Sequence, residues 1–455
     1  MTVGRKFTVV LAGVAVAALM LATTTTAWAT TLAVTNTNDS GAGSLRQAIS
    51  DANTNSGSDA IEINTSGTID LQSPLPTLST DMTINGPGAG EFAVRRDSGG
   101  EYGIFVVPSG STVTISGLTI SNGYAVGDSL PGGGGIYNLG TLTLTDSTLS
   151  GNHTNNFGGG ILNSWQDATH FGVAELDNVT VTNNSTWFLG AGVMNDGEMI
   201  ITDSTVSDNG PASYAGGVYN DGTLTMSGST VSGNNGGAQG GGFMNDYQGT
   251  ATITNSTISG NVAGSQLTAG SPGGGIYNTN ESVLTLSNST VTNNSANFGG
   301  GIQNDEGSTT TIGGTMVASN TAFNPTNHTS SDVFGDFTSQ GYNLIGRTDD
   351  ATGFDRPGDI IGTATSPLNP RLRPLAGNGG PTKSHALSRK SPALNAGDPV
   401  CPPPATDQRN MIRPQGARCD IGSYELRNPP RGLNEKASGK NVDWGDSGDD
   451  RLKGG

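Results

Sequence analysis

Apolar and polar positions alternate along most of this chain, in short bursts separated by turn-forming residues. Leu142 and Leu144 are followed by Leu149, Met199 and Ile201 by Val206, Leu224 and Met226 by Val231, and Leu284 and Leu286 by Val291. A period of two is that of a strand with one face buried, and the threonine and valine content fits it. The chain carries 71 glycines, and no apolar repeat at three or four accompanies the alternation. That excludes helix through this region. The exception is 44–53, where Leu45, Ala48, Ile49 and Ala52 fall on one helical face and predict a short amphipathic helix. Strand-like rungs follow it at 60–63, 82–84 and 112–120.

A longer period lies over the short one. A small-residue run, an apolar residue, any residue and an asparagine recur seven times, ending at Asn138, Asn163, Asn195, Asn220, Asn245, Asn278 and Asn304. The copies read GGGIYN, GGGILN, GAGVMN, AGGVYN, GGGFMN, GGGIYN and GGGIQN, spaced 25, 32, 25, 25, 33 and 26 residues apart. A second asparagine series, Asn152, Asn184, Asn209, Asn234, Asn261, Asn294 and Asn320, keeps step at 32, 25, 25, 27, 33 and 26. A unit of 25 residues with insertions at 164–171 and near 264–271 is the signature of a solenoid.

Each coil then holds two or three short strands, and stacking sets each strand parallel to its copy about 4.8 Å away. Equivalent side chains form columns. Ile136, Ile161, Val193, Val218, Phe243, Ile276 and Ile302 make one apolar column. Asparagine suits the turns because it bonds neighbouring backbone and tolerates left-handed dihedrals. The expected fold is all-β, a parallel β-helix, right-handed by the usual chirality of such connections. Its open ends need covering. The 44–53 helix is expected over the first coil and an irregular cap, rich in proline and carrying both cysteines, over the last.

The glycine-asparagine repeat resembles that of polymorphic outer-membrane-protein-like β-helices. TLAVTNTNDSGAGSLRQAISDAN at 31–53 resembles the leader segment of bacterial surface proteins with a CSLREA region. GYNLIG at 341, GNGGPTKSHAL at 377–387, SPALNAGDP and DQRNMIRPQGARCDIGSYE at 407–425 resemble the choice-of-anchor Q domain. The match departs from the family pattern at Asn395, where Asp is expected, and at Asn410, where Gly is expected. These resemblances imply architecture and a cell-surface setting and leave the biochemical role open. They divide the chain into a signal peptide (1–29), an N-terminal cap with first rungs (30–131), the repeat region (132–340), a choice-of-anchor Q-like cap (341–425) and a polar tail (426–455).

Arg5 and Lys6, the apolar run 7–22 and Ala27-Trp28-Ala29 form a secretory signal pattern with a cleavage site before Thr30. An uncleaved anchor helix is the alternative, although the apolar run is short for one. An exported chain would pair its only cysteines, Cys401 and Cys419, against the alternative of two free thiols. Net charge is −17, and 97–346 contains no Lys or Arg. An acidic solenoid without cations does not bind nucleic acid or anionic lipid.

The candidate chemistry is sparse. Asp196, Asp221 and Asp246 each follow a ladder asparagine, so they stack on consecutive rungs, with Glu198 nearby. Stacked carboxylates need a cation or raised pKa values. They read as a calcium site, as a carboxylate pair, or as ordinary turn residues in solvent. Tyr137, Tyr219 and Tyr277 share a column with Leu162, Met194 and Met244, which favours packing under a loop over a sugar-stacking stripe. His153, His170, His328 and His385 show no metal-ligand spacing. The tail at 445–455 resembles one calcium-binding nonapeptide of the repeats-in-toxin type, with Asp450 as its ligand and Asp446 replacing a glycine. A disordered polar tail is the alternative. Sequons such as Asn255-Ser256-Thr257 follow from the repeat itself.

The expected function is binding or adhesion by a secreted or surface-displayed protein, monomeric, with no membrane span after signal cleavage. An extracellular glycan or another cell-surface ligand is the expected partner. No cofactor is required, and Ca2+ is the ion its donors would suit. The alternative is a polysaccharide lyase or glycoside hydrolase working beside Asp196, Asp221 and Asp246. A lyase also needs a basic residue, which the solenoid body lacks, and a glycosidase needs two facing carboxyls.

Overall fold

The computed structural model describes residues 29–427, apart from 99, 127–131, 168, 265–269, 324–331 and 402. The leader, His328, Asp450 and the tail after 427 lie outside the described residues.

The alternating segments form strands that stack into a right-handed parallel β-helix. Face one is a twelve-stranded sheet running from Thr31–Val34 to Thr338–Gly341. Face two has twelve strands, from Gly67–Leu71 to Ile360–Ile361, and face three has ten, from Phe105–Val107 to Asp350–Thr352. A fourth side carries shorter sheets of three and five strands. On face three Ile136, Ile161, Val193, Val218, Phe243, Ile276 and Ile302 pair in register, all fully buried. Each such side chain contributes about 1.5–3 kcal/mol by leaving water.

The corner between faces one and two shows why the repeat reads as it does. One residue per rung there has φ near +50°: Asp146 (49°), Asn178 (53°), Asp203 (46°), Asn255 (48°) and Asn288 (45°), with Gly117, Gly228 and Gly314 on other rungs. Glycine, asparagine and aspartate, the residue types that enter it at least cost, fill this left-handed position on these rungs, and Tyr342 (56°) fills it on the rung after Gly314.

Two asparagine ladders run inside the coil. Asn138 Nδ2 donates to Asn163 Oδ1 at 2.6 Å, and the step repeats through Asn195, Asn220, Asn245 and Asn278 to Asn304. The second series links Asn152 through Asn184, Asn209, Asn234, Asn261 and Asn294 to Asn320. Every asparagine-to-asparagine bond donates toward the C-terminal end, while the second N–H of each second-series amide donates back to a carbonyl of the preceding rung, as Asn184 does to Leu149 O.

Helix Leu45–Ala52 begins at Ser44, whose Oγ accepts from Gln47 N at 3.2 Å. It buries Leu45, Ala48, Ile49 and Ala52 against the first strands, joining the main core. At the other end Phe337 and Phe354 close the core with ring centroids 5.1 Å apart. The chain then folds back along the flank of face two. Thr230 donates to Lys383 O, Thr382 to Gly228 O, and Thr257 to Gln408, while Ser423 lies against Thr257 and Thr290. Cys401 and Cys419 are disulfide-bonded within this segment. Among the described residues no helix is long and apolar enough to cross a membrane.

Candidate functional site

The three candidate carboxyls lie on the corner between faces three and one, where turn length varies from rung to rung. Asp196-Gly197 and Asp221-Gly222 are tight two-residue turns, and a Cβ on Gly222 would run into Gly197 O. The rung before them carries an antiparallel hairpin, Trp165–Asp167 with His170–Phe171. The rung after them carries a four-residue turn with an exposed Tyr247.

The column does not behave as one site. Asp246 is buried and saturated: Tyr219 donates to its Oδ2 at 2.6 Å, and Tyr247 N and Asn280 Nδ2 donate to its Oδ1 at 2.9 and 2.5 Å. Burial and this carboxylate push the Tyr219 hydroxyl upward, so it stays a donor. Asp305 repeats the arrangement with Tyr277, Thr279 and Gln303.

Asp196 and Asp221 face each other instead. Asp196 Oδ2 accepts from Ser164 at 3.1 Å, while Asp196 Oδ1 and Asp221 Oδ1 are buried with no hydrogen-bond donor. The two carboxyls lie against one another, and a proton on one of them removes the repulsion of like charges. Burial, and then the charge of Asp196, push the Asp221 carboxyl up to about 8. Burial raises Asp196 as well. Carboxyls in direct contact are closer than the roughly 5–9.5 Å that retaining or inverting glycosidases use. Among the described residues no three His, Cys, Asp or Glu side chains are grouped to hold a metal ion.

The tyrosine column is a packing layer. Tyr219 and Tyr277 are buried with Leu162, Met194, Met244 and Ala215, and Tyr137, Phe157, Leu189 and Tyr214 pack against them.

The structure gathers a different set of rings on the fourth side. Tyr124 and His153 occupy the same position on successive rungs, and their rings stack at 5.3 Å with planes 23° apart. Trp187, two residues past the next equivalent position at Ser185, stands 6.4 Å from His153 at 71°. Arg96 lies over Tyr124 at 5.1 Å and donates to Asn122 O at 2.9 Å. A second row runs beside the first: Phe157–Phe188 at 5.8 Å and Phe188–Tyr214 at 5.9 Å. Trp187 is 68 % exposed, Phe188 45 % and Tyr124 37 %. The backbone beneath is fixed, because Thr186 donates to Asn156 O at 2.9 Å and Ser213 donates to Trp187 O at 2.7 Å. Burial pushes the His153 imidazole down, so at neutral pH it is an uncharged ring, with Nδ1 2.8 Å from Ser185 Oγ. Sequence reasoning missed this strip, although the position after each second-series asparagine pointed to His153.

Residues 142–321 match the family described as "Right handed beta helix region". No curated protein matches the chain. Among solved structures, one titled "Crystal structure of pectate lyase Pel9A" is similar over 88% of this chain and 96% of that one, at 17% identity and a TM-score of 0.47.

Proposed function

We propose that this protein is a secreted or cell-surface β-helix that binds an extracellular glycan and does not cleave it. The observation that carries the reading is the ring cluster on the fourth side, where Trp187, Phe188 and Tyr124 are exposed around His153. Exposed aromatic faces, water-shedding yet polar at one edge, are surfaces on which sugars stack. The signal-like leader and the disulfide suit an oxidising, extracellular compartment. The 31–53 and 341–425 segments are read as the CSLREA-like leader and the choice-of-anchor Q-like end, consistent with display at a surface. Such binding needs no cofactor, and it proceeds as readily on a monomer as on an assembly.

A second reading has one observation in its favour. Asp221 keeps its proton at neutral pH, as a general acid must. That favours a carbohydrate-active enzyme at the acidic corner, against the contact distance between the two carboxyls. Incubating the mature protein with soluble glycans separates the readings. Retention on glycan affinity gels with no new reducing or unsaturated ends supports binding, and release of such ends overturns it.

A further inference from the structure

On face one the first two outward positions of the repeat are threonine on the rungs of Thr141 and Thr143 and of Thr223 and Thr225. The two rungs between them depart from this rule. Val173 and Glu175 stand outward on one, Glu198 and Ile200 on the next, with Val173 paired to Glu198 and Glu175 to Ile200. The first of these rungs also carries the antiparallel hairpin, in which Trp165 is paired directly with Phe171. Phe171 precedes Val173 by two residues, so their Cα atoms lie within about 7 Å. Trp165 is 53% exposed, Phe171 50%, Ile200 48% and Val173 39%. Four large apolar side chains are thus left in water within two rungs, at the one place where the outward threonines give way beside an insertion.

Carboxylates surround this apolar centre. Glu175, Asp177 and Glu198 are exposed on the same two rungs. Among the described residues none of the three is ion-paired, and 97–346 holds no lysine or arginine to neutralise them. We propose that the hairpin and the adjoining part of face one form a docking surface for a basic, amphipathic polypeptide segment. Its apolar side chains cover Trp165, Phe171, Val173 and Ile200, and its lysines or arginines meet Glu175, Asp177 and Glu198. Exposed apolar patches rimmed by polar groups mark such contacts, and opposite charge at the rim selects and steers the partner.

The same chemistry disfavours other occupants. A second copy docked through this surface would set its own carboxylates against these, with no cation on either side to separate them. An anionic bilayer is repelled in the same way. A sugar stacks on flat aromatic faces and gains little from Val173 and Ile200, whereas polypeptide side chains pack on aliphatic and aromatic groups alike. The surface is separate from the ring cluster of the fourth side, so it stands or falls independently of glycan binding there.

The test is a fluorescence-anisotropy titration of the full mature chain with a short labelled peptide alternating lysine with leucine. Beside it run the same peptide with glutamate for lysine, the same with serine for leucine, a glucosamine hexamer and phosphatidylcholine vesicles. The lysine–leucine peptide should bind at least about tenfold more tightly than either altered peptide, and added salt should weaken it. Trp165→Ala, and separately Glu175→Gln combined with Glu198→Gln, should each weaken binding about tenfold. Thermal unfolding should stay unchanged, because these side chains are exposed. Val283→Ala, exposed on the same face three rungs beyond Ile200, should bind as the wild type does. Binding that is indifferent to Trp165 and the two glutamates, or that survives exchange of lysine for glutamate, overturns the proposal. Preference for the glucosamine hexamer or the vesicles, lost in Trp165→Ala, overturns the polypeptide as occupant. Failure of the wild-type chain to bind the peptide overturns it outright.

Discussion

Asn320 donates its side-chain amide to Asp332 Oδ1 at 2.9 Å, and its backbone N–H donates to the same oxygen at 2.8 Å. This is where the second asparagine ladder stops. From Asn184 to Asn294 each member receives two N–H groups from the previous asparagine and gives two to the next. A ladder whose asparagine-to-asparagine bonds all run one way ends in N–H groups that need an acceptor and nothing to donate in return. A carboxylate fits that end better than another amide would.

Asp332→Ala removes the acceptor of the Asn320 backbone N–H and of one amide hydrogen, while Val291 O still holds the other. Each orphaned group costs about 1–3 kcal/mol, so the last rungs should unfold at clearly lower urea concentration. Asp332→Asn keeps an acceptor and should lose much less. Urea melts of the three proteins check this, and equal midpoints for Ala and Asn variants would refute the terminating role.

Phe243 fills the middle of the face-three column and is fully buried. Phe243→Ala should cost about 3–5 kcal/mol through lost burial and the cavity left behind. Ile200 points outward on face one and is largely exposed, so Ile200→Ala should stay within about 0.5 kcal/mol. Denaturant midpoints of the pair report whether the column carries the stability.

The Asp196–Asp221 pair predicts a pH dependence. The Asp221 carboxyl is pushed up to about 8, and in the unfolded chain an aspartate titrates near about 3.9. Between those values the folded protein holds a proton that the unfolded chain has lost, so stability falls as pH rises through that window. Asp221→Asn keeps a donor toward Asp196 without titrating. The wild type should therefore lose more stability than the variant between pH 5 and pH 9, read as the difference in denaturant midpoint. Parallel losses would show that no proton is shared.

His385 predicts the opposite slope. It is buried between the flanking segment and the coil, with Nδ1 donating to Arg373 O at 2.7 Å and Nε2 accepting from Ser259 Oγ at 2.8 Å. Burial pushes this imidazole below its usual 6.5, so its contribution is present above that pH and is lost as pH falls below it. Amide exchange of Ser384–Leu387, corrected for intrinsic rate, should speed up at pH 5 relative to pH 7.5. His385→Gln should remove most of that difference.

The coil was legible in the sequence because one structural unit is written many times. Period-two alternation fixed which residues face inward, and the 25-residue spacing fixed which ones share a column, since every rung repeats the same backbone path. The left-handed corner could be read in the same way, from Asp146, Asn178 and Asp203 standing where glycine stands on other rungs.

What lies outside the repeat needed the tertiary structure. Asp196, Asp221 and Asp246 share a column by sequence, yet a tyrosine below and a longer turn saturate Asp246, while the two tight turns press the others together. Trp187 is displaced by two residues from the position that Tyr124 and His153 occupy, so no periodic reading groups the three. Periodicity determines backbone position. Side-chain reach, turn length and the fold-back of the last residues over face two determine which groups meet, because those contacts join residues whose separation in the chain is not a multiple of the repeat.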